Sequence, residues 1–527
     1  MRYKKDIKKL LIRLCIFFIL IFSIILILSG TYLLPSNSIL RIGTNEFIIH
    51  FDPYKYNKTK TLSLNQHIFE SLVSIDNTGK IKPLLAENWF NIDDKTWIFN
   101  IRKNVYFSNG DHLTADDVIY SFERVRIDIN SEINSNFDIN LAISKIEKIN
   151  DYRIKIVTET IFPTLLLKLR NCSILPKNYI EKNGLEHFLN NPVGTGPYMN
   201  PIITKTYDGK IIRLIRNERY WGKKPYFKVV EFYLFTESKI QELLKNGYLD
   251  LIAWYDPDFY LNFQNSSKYK KLSISGLRTT FLILNCLDNK NDFISLPYNP
   301  LANYLVRKAI YLSLNIDEIV NKVLLENATS ANQIVYPSVI GYNPRISKDT
   351  QNIELAKKLL IQANISKGFS LGIQISTNDN IFEKIAYILR QQLKVVNIDL
   401  NIMKFEGKEL SKIRKEQKFS IIPYSLSSGT GDALFIISTL VHSKDGSWGS
   451  YNFSGFSDEE IDKLIEMASE EFDEQKRIEF YQKIMSLTMD KVPYIPLYWP
   501  NVVALCKKEL KWQIRADERV YAFEMSY

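Results

Sequence analysis

The side chains that most often do chemistry are few and scattered in this chain. Five histidines occur, His50, His67, His112, His187 and His442. None forms an i,i+4 pair and no His-Glu-x-x-His is present, so the zinc-hydrolase pattern is missing. Two glycine motifs, "GTGPYM" (194–199) and "GTGDAL" (429–434), open like dinucleotide loops. Neither has the third glycine at the required place, and neither carries the Lys-Ser/Thr of a P-loop. No G-x-S-x-G elbow exists. The reading is a protein that is not an enzyme, with no cofactor and no metal site.

The aromatic side chains offer a different chemistry. The chain has 30 Tyr, 30 Phe and 7 Trp. In "LDLIAWYDPDFY" (249–260), Trp254 and Tyr255 end an apolar strand just before an Asp-Pro turn. In "KDGSWGSYNFSGF" (444–456), Trp448 and Tyr451 stand in a Gly/Ser loop. Aromatics on loops suit a pocket that grips apolar or peptide-like ligands, although they equally suit the cover of a core edge.

These residues need elements to hold them. Strands are expected at 153–160, 210–217, 229–235, 369–376 and 398–405, each rich in β-branched or aromatic residues. Helices are expected between them. Thr114 with Asp117 reads as an N-cap signature before Val118, Phe122 and Val125. Ser457 with Glu460 repeats it before Ile461, Leu464, Ile465 and Ala468. A third helix over "QKRIEFYQKIMSLTM" ends where Pro493 and Pro496 forbid continuation. Interleaved strands and helices make the fold class α/β.

At 527 residues the chain calls for two or three domains. Its formal charge is +10, from 68 basic and 58 acidic residues. The first thirteen residues hold six of the basic ones against Asp6 alone, which leaves 62 and 57 in the rest, an excess of +5. That modest balance gives no argument for nucleic acid. The apolar run Leu14–Leu28 follows directly. A basic start before an apolar run is an export signal, so residues 1–38 are expected to be a signal peptide or an uncleaved membrane anchor. Small residues for cleavage stand at Ser29-Gly30-Thr31 and Ser36-Asn37-Ser38. Cys15 lies at the start of the run, where lipoprotein processing would need it at the end. The body is therefore expected in the periplasm or on the outer face of the cytoplasmic membrane. Cys172, Cys286 and Cys506 allow one disulfide at most, and buried free thiols are the simpler expectation.

The segment 68–125, with "LAENW", "WIFNIR", "FSNG" and "LTADDV", resembles a known family. "PVGTGPY" (192–198), "RNERYWGKKPYF" (216–227), "LILN" (282–285), "PLANYLVRKAIYLSLNIDEIV" (300–320), "YNFSGFSDEEIDKLIEMA" (451–468) and "VPYIPLYW" (492–499) follow in that family's order. It is the extracytoplasmic solute-binding proteins of peptide and nickel ABC importers, bacterial family 5, and the resemblance spans roughly residues 40–510. Several of these motifs are scaffold. The glycines of "PVGTGPY" are read as allowing positive φ, and Asn109-Gly110 as a tight turn.

The resemblance implies a type II periplasmic-binding-protein fold, with two lobes, a hinge and an extra domain on the first lobe. Carried onto this chain, the first lobe is 40–69, 193–284 and 490–527, the extra domain 70–192, and the second lobe 285–489. It implies a monomer that closes on a peptide or other small solute and presents it to the transmembrane subunits of an ABC permease. Peptide-binding members pair an Asp, in the loop after the strand matching 418–424, with the ligand's α-amino group. Here that loop is "SLSSGTGDALF", and the position falls on Ser428 or Gly429, with Asp432 a few residues on. Arg414 falls near a basic position that receives peptide carboxylates, and Arg278 completes the set of candidate ligand-binding residues. The missing Asp motivates an alternative cargo, such as an N-blocked or γ-linked peptide, a metal chelate or a sugar. The anchor motivates another role, a membrane-tethered sensor or chaperone-like receptor.

Overall fold

The computed structural model describes residues 38–527 except 46, 57, 77–78, 128–142, 256–258, 261, 264, 349 and 447. The leader expected over 1–38, apart from Ser38, therefore lies outside the described residues. No helix among those described is long and apolar enough to cross a membrane.

Twelve of the described strands join in one sheet. Along it run Ile398–Phe405, Phe369–Ser376, Ile421–Ser427, Arg278–Leu284, Tyr494–Lys507, Leu251–Ala253, Ile39–Thr44, Val229–Phe235, Gly209–Arg216 and Tyr198–Thr206. Parallel and antiparallel pairs mix, as helices between the strands require. Strands fall at all five segments where β-branched and aromatic residues concentrate. A separate four-stranded antiparallel sheet uses Ala86–Asp93, Thr96–Ile101, Arg153–Thr158 and Ile143–Asn150. Its strand "TWIFNI" buries Trp97, Phe99 and Ile101 as alternation predicts, and Ile98 as well.

The long strand Tyr494–Lys507 is shared by two hydrophobic cores. Its first half pairs with Arg278–Leu284, and its second half with Leu251–Ala253 and Tyr269–Ser275. Trp499 packs in a core built from residues 277–499, here the second core. Ala504 packs in the first core, built from residues 40–234, 251–253 and 504–525 and including the four-stranded sheet. A satellite cluster around Phe259, Tyr260 and Leu505 flanks it. The chain thus passes between the cores at 275–278 and again at 499–502. The two passages touch: Ser275 pairs with Asn501, and a Cβ on Gly276 would stand 3.2 Å from the Pro500 carbonyl oxygen.

Local signals hold with two corrections. Thr114 and Asp117 form the expected reciprocal cap, with the Thr114 amide and hydroxyl donating to Asp117 at 2.9 and 3.1 Å. In the helix Glu459–Glu470 the cap is Asp458, not Ser457, because its carboxylate accepts from the Ile461 amide at 3.2 Å. Gly110 takes φ +98 in the Asn-Gly turn. Gly194 and Gly196 do not adopt positive φ. They are glycines because a Cβ would sit 2.0 Å and 2.6 Å from the carbonyl oxygens of Ile68 and His67. Cys172, Cys286 and Cys506 are free thiols.

Candidate ligand-binding cleft

Between the two cores lies a cavity of about 240 Å³. From the first core it takes Lys58 and the helix Thr59–Asn65, the short helix Leu165–Leu169 with Arg170 and Asn171 after it, and the C-terminal residues Asp517 and Arg519. From the second core it takes Arg278, the strand residues Tyr424–Ser427, Gly429, Thr430, Phe435 and Tyr451. The walls meet across the gap where the Lys168 ammonium lies 5.5 Å from the Phe435 ring centre. Two more cavities continue the cleft. One shares Arg278 and Ser425 with the first, and the other shares Thr430 and Asp517.

The loop that follows Ile421–Ser427 is bolted in place by its own polar groups. The Ser428 amide donates to the Leu277 carbonyl at 2.9 Å, and its hydroxyl donates to the Asp432 carbonyl at 2.7 Å. Asp432 accepts from the Leu434 amide at 2.8 Å and faces Arg477 at 3.9 Å. Burial pushes the Asp432 carboxyl above its ordinary pKa. Both residues are spent on holding the turn, and neither side chain reaches the first cavity, although Asp432 edges the cavity beyond Thr430. Gly429 does line it, with open space where a Cβ would stand.

The remaining expected residues divide. Arg278 and Tyr451 line the first cavity. Arg278 is held by Glu518, whose carboxylate accepts from Nε at 2.7 Å and from Nη2 at 2.9 Å and raises the guanidinium pKa. Trp254 and Tyr255 line the neighbouring cavity. Trp254 takes φ +67 and donates its indole N–H to the Glu518 carbonyl at 2.7 Å. Tyr255 stacks on Phe259 at 4.2 Å. Arg414 lies over the rings of Tyr424 and Phe453 at 4.9 and 5.1 Å, behind the wall that Tyr424 presents. Trp448 stacks on His442 at 4.9 Å and is not brought to the cavity.

Sequence reasoning missed Lys58, Lys168, Arg170 and Arg519. Arg170 is 4% exposed, and burial, then Arg519, lowers its pKa to about 10. Its signal was a charged residue inside the apolar run "LLLKLRN". Asp517 lies against Arg515 at 3.0 Å and Arg170 at 3.6 Å, and these cations hold its carboxyl below the ordinary value despite burial.

No cluster of His, Cys, Asp or Glu fit for a metal ion stands among the described residues. A cavity walled by two separately packed cores, and joined by two adjacent passages, defines a two-lobed binder of small solutes. Residues 80–448 match the bacterial extracellular solute-binding proteins, family 5 (middle region), and the chain belongs to that family. It is a solute-binding protein and not an enzyme. It is 26% identical over 463 residues to the dipeptide-binding protein of Escherichia coli K12, covering 82% of this chain and 84% of the relative. It is 23% identical over 485 residues to the nickel-binding periplasmic protein of the same organism, covering 87% and 88%. Among solved structures, the periplasmic binding protein DppA of Helicobacter pylori with the peptide STSA superposes with TM-score 0.77 at 22% identity, covering 93% and 98%. NikZ of Campylobacter jejuni with Ni(L-His) gives 0.78 at 22% identity, covering 93% and 100%.

Proposed function

We propose that the protein captures a peptide or another small solute between its two lobes and delivers it to the permease of an ABC importer. One observation carries this reading: the cavity draws its walls from both cores, so a bound solute contacts both at once. Only such a ligand gives differential affinity for the closed form. Names of relatives that bind dipeptides and nickel support the class of cargo. In this reading lobe I is 40–69, 193–284 and 490–527, the extra domain 70–192 and lobe II 285–489. The packing of 278–284 and 494–499 in the second core supports a hinge at the two passages, with those strands on the second-lobe side of it. Arg278, Gly429 and Tyr451 would touch the solute, and Trp254 and Tyr255 would serve a longer one. The leader would place the protein outside the cytoplasmic membrane, as a monomer.

Calorimetric titration with a random pool of tri- to pentapeptides tests the reading. Heats in the micromolar range or tighter support peptide cargo, and their absence sinks it. The non-peptide or N-blocked alternative is favoured by one specific observation: Ser428 and Gly429, on one of which the amine-pairing Asp of peptide-binding members would fall, bring no carboxylate to the wall.

A further inference from the structure

We infer that the captured solute carries at least two negative charges and no balancing ammonium, as a polycarboxylate or an N-blocked acidic peptide does. The inference rests on the solute-capture reading and adds the chemistry of the cargo.

Five cationic side chains line the first cavity: Lys58, Lys168, Arg170, Arg278 and Arg519. One carboxylate does, Asp517. The chain beyond its first thirteen residues has an excess of only +5, so positive charge is concentrated here. Asp517 is already saturated. It accepts from Arg515 Nε and Nη2 at 3.0 Å each and from the Arg519 amide at 3.2 Å. Glu518 is likewise taken by Arg278. No carboxylate lining the first cavity is left for a ligand ammonium.

Three of these cations, Lys58, Arg170 and Arg519, are less fully matched. No carboxylate pairs with Lys58 among the described residues. The Arg519 guanidinium donates to two neutral amides, Gln66 and Asn171. Arg170 faces Asp517 at 3.6 Å through Nη2, but its Nη1 is buried without any hydrogen-bond partner. A buried donor left unmade is costly, and a charged one more so. Oxygen atoms of an anion entering the cavity would supply the missing acceptors.

Placement adds a mechanism for closure. Lys58 belongs to the first core, while Arg278 and Arg414 belong to the second. Desolvation in the cleft, then Arg414, then Arg278, holds the Lys58 ammonium below its ordinary pKa. Lys58 and the second-core cations Arg278 and Arg414 thus repel across the cleft, a repulsion that Glu518 offsets at Arg278. An anion between them reverses the sign, so it binds the closed form more strongly than the open one.

Titration calorimetry with four probes tests this: N-acetyl-triglutamate, citrate, trialanine and trilysine. The expected result is that one of the two anions binds at least about tenfold more tightly than trialanine, with trilysine weakest. Which anion wins tells peptide from non-peptide cargo. Raising salt from about 50 to about 500 mM should weaken that binding by about tenfold. Lys58→Gln and Arg519→Gln should each lose about tenfold in anion affinity, with the melting temperature of Lys58→Gln unchanged. Trialanine or trilysine binding as tightly as both anions overturns the inference and leaves solute capture standing. Anion affinity unchanged in both variants overturns the assignment to this cavity. Binding by none of the four, together with silence from the peptide pool, removes solute capture and the inference with it.

Discussion

Arg278, the first residue of a strand built into the second core, meets both carboxylate oxygens of Glu518, in the C-terminal segment of the first, at 2.7 and 2.9 Å. The pair crosses from one core to the other beside the two passages of the chain. Replacing Glu518 with Gln leaves a partly buried guanidinium without its counter-ion. We expect a loss of about 1–3 kcal/mol in urea denaturation. An Arg278→Gln/Glu518→Gln double variant should recover part of it, because neither charge is then stranded.

Gly429 stands at the cavity wall with room for a side chain. Gly429→Asp should therefore fold and place a carboxylate among the cations of the cleft. Anion affinity should fall by about tenfold and affinity for trialanine should rise by a similar factor. Gly429→Asn is the control for bulk. A variant whose preference does not move would show that the wall at 429 does not read ligand charge.

His67 and Glu70 are buried three residues apart and titrate in opposite senses. The His67 Nδ1 bonds the Ser63 carbonyl at 2.8 Å and Nε2 accepts from the Ala522 amide at 3.1 Å, which fixes the neutral ring. Burial lowers its pKa from 6.5 to about 4. Glu70 accepts from Tyr220 and Trp221 at 2.8 Å each, and burial raises its pKa from 4.5 to about 7. As pH falls below 6.5 the unfolded chain protonates its histidine first, so the His67 contribution is lost towards pH 4. As pH rises above 4.5 the unfolded chain ionises its glutamate first, so the Glu70 contribution is lost towards pH 7. Between 4.5 and 6.5 the two slopes oppose. Glu70→Gln should make stability climb with pH in that window, by up to about 1.4 kcal/mol per unit. His67→Gln should make it fall. Denaturation midpoints across the pH series read both slopes.

Gly194→Ala should destabilise the fold by about 2–4 kcal/mol, since its Cβ would collide with backbone at 2.0 Å and not with a movable side chain. Gly429→Ala, with nothing within 4 Å, should cost under about 0.5 kcal/mol. Thermal or urea unfolding of the two variants side by side checks the contrast.

Much of the scaffold was legible because it obeys local rules. The strands at 229–235, 369–376 and 398–405 announce themselves by β-branched and aromatic content, and the Thr114–Asp117 cap by spacing. The cap at 458 was read one residue early because Ser457 and Asp458 are both capping types in succession. The role of Gly194 was misread because the approach of Ile68 is a tertiary fact that no local spacing encodes. In the first cavity only the second-core side was legible, through Arg278, Gly429 and Tyr451, while Trp254 and Tyr255 pointed to the neighbouring cavity. Lys58, Arg170 and Arg519 are hundreds of residues apart, and each reads alone as a solvated charge. Their convergence exists only once the C-terminal segment folds back on the first core.

The pairing of Ser275 with Asn501, and the seat of Gly276 against Pro500, has a mechanical meaning. Two separate tethers would let the halves slide, shear or twist. Two strands paired side by side in one sheet resist sliding and shear, which leaves bending across the pair as the easiest motion. In the proposed reading the halves would then swing together as a jaw does, and different solutes would leave the closed pair with a similar outline.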